Sequence, residues 1–134
     1  MKGFGAQSQS KKKKVSNIST KSSKKELINQ AIQFHLEGHL KEASKYYQYC
    51  LDQGCNDPRI FTNYGVILKG FGRSQEAESC YRTAIELNPD FADAHANLGN
   101  ILRELGKLKE AETSTRRAIE LNPDYAKAYS NLGS

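Results

Sequence analysis

Four asparagines stand 34 residues apart, at Asn29, Asn63, Asn97 and Asn131. An asparagine amide both donates and accepts hydrogen bonds, so a regular row of them can hold the backbone of an extended peptide without reading its side chains. At ~0.5–1.5 kcal/mol net per hydrogen bond, four such contacts supply only part of the ~8 kcal/mol that micromolar binding requires. The row therefore needs an architecture with the same period, and neighbouring residues that add to the binding.

Other residues that could carry chemistry do not assemble into a reaction centre. His35 and His39 have the i, i+4 spacing of a metal-binding pair, but Glu37 and Gly38 between them mark a helix end, and no HExxH pattern accompanies them. His95 is read as a packing imidazole. Glu76, Glu78, Glu110 and Glu112 recur in phase as the solvated face of second helices. Cys50, Cys55 and Cys80 are odd in number and lack a paired CxxC, which points to reduced, semi-buried thiols rather than a disulfide framework or a zinc site. No nucleophile with its base, no paired carboxylates and no phosphate loop can be assembled, so neither an enzyme, nor a metal, nor a small-molecule cofactor is expected.

The 134 residues carry a formal charge of +5, but the excess is local. The first 25 hold eight of the 20 basic residues and no acid, leaving 12 basic against 15 acidic residues, about −3, in the remainder. Residues 1–23 contain too little apolar material to offset the entropy of ordering a backbone, and are expected to form a disordered basic arm. Lys11 to Lys14 would be drawn to nucleic-acid phosphates or anionic lipid by charge alone. A solvated tail is the preferred reading, and neither nucleic acid nor a membrane surface is the expected partner. No stretch approaches the ~20 apolar residues of a membrane span, and no apolar segment follows the N-terminal charge as in a secretion signal, so a cytoplasmic protein is expected.

The period that places the asparagines runs through the whole sequence. Residues 58–91 (PRIFTNYGVILKGFGRSQEAESCYRTAIELNPDF) and 92–125 (ADAHANLGNILRELGKLKEAETSTRRAIELNPDY) align without a gap. Residues 24–57 fit the same frame more loosely, and 126–134 begin a fourth unit. Helical spacing of Leu98, Ile101, Leu102 and Leu105, and of Leu108, Ala111, Ala118 and Leu121, makes each unit a pair of helices. Gly38, Gly72 and Gly106 fall between the helices of a pair, where a left-handed residue ends one helix and frees the next. Pro89 and Pro123 end the second helices. Gly65/Gly99 and Ala77/Ala111 mark close approach, with Phe61, Tyr81 and Leu102 filling the space beside them.

This pattern resembles the tetratricopeptide repeat (TPR), whose signature reads here as Phe61, Tyr64-Gly65, Leu68, Ala77, Tyr81 and Pro89, then His95, Leu98-Gly99, Leu102, Ala111, Thr115 and Pro123. The resemblance implies an all-α TPR α-solenoid, a right-handed superhelix of antiparallel helix pairs with about three and a quarter repeats: residues 24–57, 58–91, 92–125 and the partial unit 126–134. Leu27, Gln30-Ala31, Cys55 and Thr115 depart from the signature. Tyr129 and Leu132 would cover the third unit as a short cap. A chain that stops inside a unit suggests a fragment of a longer protein, or a homo-oligomer formed through the open C-terminal end.

In that family the first helices of successive units line a concave groove. Carried over by position, the resemblance places Asn29, Asn63, Asn97 and Asn131 on the groove, with Asn100, Thr62 and Arg59 beside them. Arg59, Lys69, Arg103 and Lys127 on the same face would attract an acidic segment. The row is similar to the asparagine ladder of O-linked N-acetylglucosamine transferase, whose repeats the stretch PDFADAHANLGN also resembles. The implied function is a non-catalytic protein-interaction module for an extended peptide or protein segment. The alternative is the substrate-recruiting TPR region of a larger glycosyl- or sulfotransferase. The opening MKGFG and its lysine run resemble the start of cyanobacterial TPR proteins. The carboxylate clamp that TPR adaptors use for acidic chaperone tails is not supplied. Its slots hold Ile28, Ile32, Asn63, Asp93 and Asn97 or, one unit on, Thr62, Val66, Asn97, Lys127 and Asn131.

Overall fold

The computed structural model describes residues 23–133, all of whose regular elements are helices. The basic arm and the MKGFG opening lie outside the described residues. Two compact units divide the chain after Cys55. The first contains α1 (Lys24–Leu36) and α2 (Leu40–Asp52); the second contains α3 (Pro58–Gly70), α4 (Ser74–Leu87), α5 (Ala92–Glu104), α6 (Leu108–Leu121) and α7 (Asp124–Gly133).

The ends of these helices follow from local chemistry. The Ser23 hydroxyl caps α1 by accepting from the Glu26 amide at 3.2 Å, and Asp57 caps α3 through the Arg59 amide at 2.8 Å, with Pro58 in the first turn. The turns inside the pairs are Schellman closures around a left-handed glycine, as at Gly72 (φ +81°), where the Arg73 amide reaches back to the Leu68 carbonyl at 2.9 Å. The second helices end in two ways. Asn88 and Asn122 leave the helix with extended backbone before proline, and their side chains accept from the amides of Asp90 and Asp124. After α2, where Cys55 replaces the proline, Gly54 (φ +78°) makes a further Schellman closure, with the Cys55 amide donating to the Cys50 carbonyl. The sequence pattern did not foresee this glycine.

In the first unit, α1 packs on α2 with Leu27, Ala31, Ala43, Tyr47 and Cys50 buried. The Tyr47 hydroxyl lies 3.1 Å from Nδ1 of His35, so the histidine is part of the packing, and burial lowers its pKa. Cys50 and Cys55 are fully buried rather than semi-buried; only Cys80 is of the intermediate kind expected.

In the second unit, Leu68, Ala77, Tyr81, Leu98, Ile101, Leu102 and Ala111 form one apolar cluster through α3, α4, α5 and α6. The pairs close at glycine: a Cβ on Gly65 would stand 2.6 Å from Cε1 of Tyr81, and one on Gly99 would stand 2.5 Å from Oγ1 of Thr115. Thr115, which departs from the repeat signature, is therefore in tight contact with its glycine despite the lost ring. Four ion pairs tie the α3–α4 repeat to the α5–α6 repeat: Lys69 to Glu104 at 3.5 Å, Glu78 to Lys107 at 3.3 Å, Arg82 to Glu110 at 3.8 Å and Asp90 to Arg117 at 3.1 Å. Glu78 corrects the sequence reading of a solvated face, since its side chain is only 13% exposed. Burial opposes its charge, but hydrogen bonds from Arg82 and Lys107 prevail and hold its carboxyl below the usual glutamate value.

This packing sets the outcome of two substitutions. Gly65→Ala should lower stability by roughly 1–3 kcal/mol through overpacking. Gly70→Ala, where a Cβ meets nothing within 4 Å, should be neutral or stabilising by up to ~1 kcal/mol. Urea midpoints of the two variants check this pair. For Glu78, the folded pKa is lowered, so its contribution is complete above the unfolded value and is lost as pH falls through the folded one. Acidification from pH 6 to pH 3 should therefore destabilise the native chain more steeply than Glu78→Gln, as read by urea midpoints across that range.

Candidate functional site

The structure brings part of the predicted row together. Asn63 on α3 and Asn97 on α5 line one hollow of about 210 Å³ with Asn100, Thr62, Asp93 and Ala96. Its remaining wall is Tyr125 and Tyr129 of α7. First helices of successive pairs pack side by side here, α3 against α5, so positions 34 residues apart open into the same space. Both asparagines are partly exposed, and among the described residues neither side-chain amide is drawn into a hydrogen bond. Asn29 is exposed on α1 of the other unit. Asn131 stands in α7, but its side chain lies outside the described residues.

The helpers differ in what they can offer. Thr62 is 3% exposed and its hydroxyl donates to the Pro58 carbonyl at 2.8 Å, so it contributes shape rather than a free polar group. The Arg59 guanidinium grips Asp57, at 2.7 Å from Oδ2, and this hydrogen bond holds the Asp57 carboxyl below its usual range. Lys69 pairs with Glu104. Arg103 donates to Oδ1 of Asn100 at 3.1 Å and to Thr115 at 3.3 Å, and lies over the Tyr129 ring at 5.9 Å. Lys127 is exposed on α7. Most of the cations foreseen as attractors of an acidic ligand are thus engaged in internal contacts.

Tyr125 and Tyr129 are lining residues that the sequence reading did not single out as a site, and Asp93 entered it only as a residue that leaves a clamp slot unfilled. Asp93 is the one formal charge among the residues lining the hollow, and the Tyr125 hydroxyl donates to it. That hydroxyl loses its proton less readily than a free tyrosine, because burial and then Asp93 disfavour the phenolate. Tyr129 donates to the Ala96 carbonyl at 3.3 Å, so α7 is fastened to α5 by two phenols and one stacked arginine. The signal that could have found Tyr125 is positional: it sits 34 residues after Phe91, at the entry to a first helix.

Other candidates resolve as structural. His95 places Nε2 2.7 Å from the Pro89 carbonyl, and among the described residues no group of three possible metal ligands occurs. Burial, and secondarily Glu76, push the Cys80 thiol up to about 11. A wider hollow of about 900 Å³ lies between α4 and α6, lined by Ile85, Leu98 and His95 among others, and contains none of the predicted residues. Among the described residues no helix is long and apolar enough to cross a membrane.

Residues 27–132 match the family described as the Cilia and flagella-associated protein 70 middle TPR-like domain. The chain belongs to this TPR-like family. No curated protein sequence matches it. Among solved structures, it is similar to the first TPR of Spaghetti (RPAP3) bound to HSP90 peptide SRMEEVD. That match has a TM-score of 0.69 and 24% identity, covering 83% of this chain and 94% of that one. It is similar to MamA with a TM-score of 0.76 and 20% identity over 90% of this chain and 70% of that one. A mutant of the Thermobaculum terrenum O-GlcNAc transferase gives 0.73 and 28% over 81% of this chain, which spans 21% of the transferase's length. The fold is the all-α TPR solenoid type, and the TPR-like chain carries the repeat signature expected from its sequence.

The contacts of Arg103 lead to a further test. Arg103→Ala removes the stacking on Tyr129, worth ~0.5–1 kcal/mol at an exposed site, so amide exchange in α7 should speed up roughly two- to fivefold. Exchange in α3 and α4 should not change, and hydrogen exchange by mass spectrometry separates the two.

Proposed function

We propose that the chain is a non-catalytic protein-interaction module whose groove face on α3, α5 and α7 holds an extended peptide by its backbone. The observation that carries this reading is the pair Asn63 and Asn97, one repeat apart, partly exposed and opening into one hollow, with their amides uncommitted among the described residues. An extended backbone offers an N–H and a C=O at each residue, which an asparagine amide matches with both its donor and its acceptor. Tyr125 and Tyr129 add rigid contact area, and Asp93 adds an acceptor for a donor group on the ligand.

The likeness to a TPR that holds SRMEEVD supports peptide binding as the class of activity. It does not extend to that ligand. An acidic tail needs free cations, whereas Arg59, Lys69 and Arg103 are satisfied internally and Asp93 faces the hollow. Lys127, exposed on α7, extends the proposed contact surface beyond the hollow.

A second reading is favoured by the 28% identity to the O-GlcNAc transferase repeats: the same groove presents protein substrates to a transferase domain elsewhere in a longer polypeptide. Both readings need the groove, and they diverge on whether a transferase activity depends on it.

The test is the double variant Asn63→Ala with Asn97→Ala, screened against an immobilised library of unstructured peptides. Helical circular dichroism should be unchanged, and the affinity of the peptides that the native chain selects should fall about tenfold or more. Equal capture by the variant would remove the asparagine row from the account.

A further inference from the structure

Four helix ends close around a left-handed glycine, at Gly38, Gly54, Gly72 and Gly106. In each, the amide that follows the glycine donates to the carbonyl five residues back: His39 to Phe34 at 2.9 Å, Cys55 to Cys50 at 3.0 Å, Arg73 to Leu68 at 2.9 Å and Lys107 to Leu102 at 2.8 Å. A closure of this kind commonly brings the side chains of the two joined residues into contact. The one at Gly38 shows the contact directly, with the Phe34 and His39 rings 6.2 Å apart between centroids.

At Gly54 both positions are cysteine. Cys50 is 0% exposed and Cys55 4%, so the two thiols turn inward at the end of α2 instead of diverging into solvent. None of the other three closures joins two thiols, and Cys80 stands on α4 in the other unit. The pair therefore combines closeness in sequence with a backbone hydrogen bond that sets its spacing before either sulfur reacts.

We propose that Cys50 and Cys55 form a dithiol–disulfide couple, oxidised by exchange with a small-molecule disulfide of the glutathione type. Cys55, the less buried, reacts first: its thiolate attacks one sulfur of glutathione disulfide, expels one glutathione thiolate and leaves a mixed disulfide on Cys55. The Cys50 thiolate then attacks the Cys55 sulfur, which forms the internal bond and expels the second glutathione thiolate. The two cysteine thiols lose two electrons and two protons; glutathione disulfide takes the electrons, and the protons end on the two released glutathione thiols. The closure favours the second step by holding the attacking sulfur at a high local concentration. Burial slows the first step, because the last turn of α2 must open to admit glutathione. Oxidation then adds a covalent link across an end that is otherwise closed by backbone hydrogen bonds. The couple lies in the first unit and does not depend on the asparagine hollow.

The test is equilibration of the full chain in glutathione redox buffers, followed by acid quenching, alkylation and peptide mapping by mass spectrometry. The mapped product should be an internal bond between Cys50 and Cys55, with Cys80 still alkylated. Its equilibrium constant against glutathione should be at least about tenfold larger for the native chain than for the chain in urea, because the closure exists only in the fold. In the oxidised chain the amides of Gly54 and Cys55 should exchange more slowly, and Cys55→Ser exposed to the same buffers should gain no such protection. A bond that includes Cys80, mixed disulfides that persist on Cys50 or Cys55, or a constant no larger in the fold than in urea overturns the proposal. So does an oxidised chain that has lost the helical circular dichroism of the reduced one, because the bond would then form only outside the fold.

Discussion

The described architecture of the second unit rests on how closely two helices of a pair can approach. The ring of Tyr81 lies where a side chain on Gly65 would have to be, and Thr115 and the α6 backbone crowd Gly99 in the same way. With the helices this close, the interior is filled by a small set of apolar side chains, among them Leu68, Leu98, Ile101 and Leu102. The approach also fixes the phase of every other residue. Once α3 and α5 lie side by side, residues 34 apart share a surface, which is why Asn63 and Asn97 open into one hollow.

Much of this is legible in the sequence because it depends on backbone rules. Gly38, Gly72 and Gly106 adopt the left-handed conformation at pair turns, and Asn-Pro ends the second helices through an extended asparagine. Where the first unit departs from the pattern, the substitute was legible only in part. Gly54 replaces the proline ending, but a lone glycine beside Cys55 carries no periodic signal. Thr115 was a departure whose consequence depends on three dimensions: it still meets Gly99, and the lost ring reappears as a cleft beside Leu108.

The groove shows a similar division. Position in the repeat is enough to bring Asn63, Asn97, Asn100 and Thr62 to one hollow, but it says nothing of what their neighbours do. The positive charges looked available as letters in a sequence, and in the fold Arg59, Lys69 and Arg103 are occupied by Asp57, Glu104, and Asn100 with Tyr129. Side-chain pairing between elements is decided by packing, so the hollow is largely neutral, with Asp93 the one formal charge among its lining residues. Tyr125 and Tyr129 change role for the same reason, since residues that fasten α7 also form the wall of the site.

In the proposed binding mode the amides of Asn63 and Asn97 act together on an extended ligand. The most direct measurement is an NMR titration of the full chain with a library-selected unstructured peptide, following the side-chain NH₂ resonances of the two asparagines. Both should move with the same apparent affinity, together with the ring signals of Tyr125 and Tyr129. Shifts confined to residues of the hollow between α4 and α6, with both asparagine amides unmoved at saturation, would contradict it.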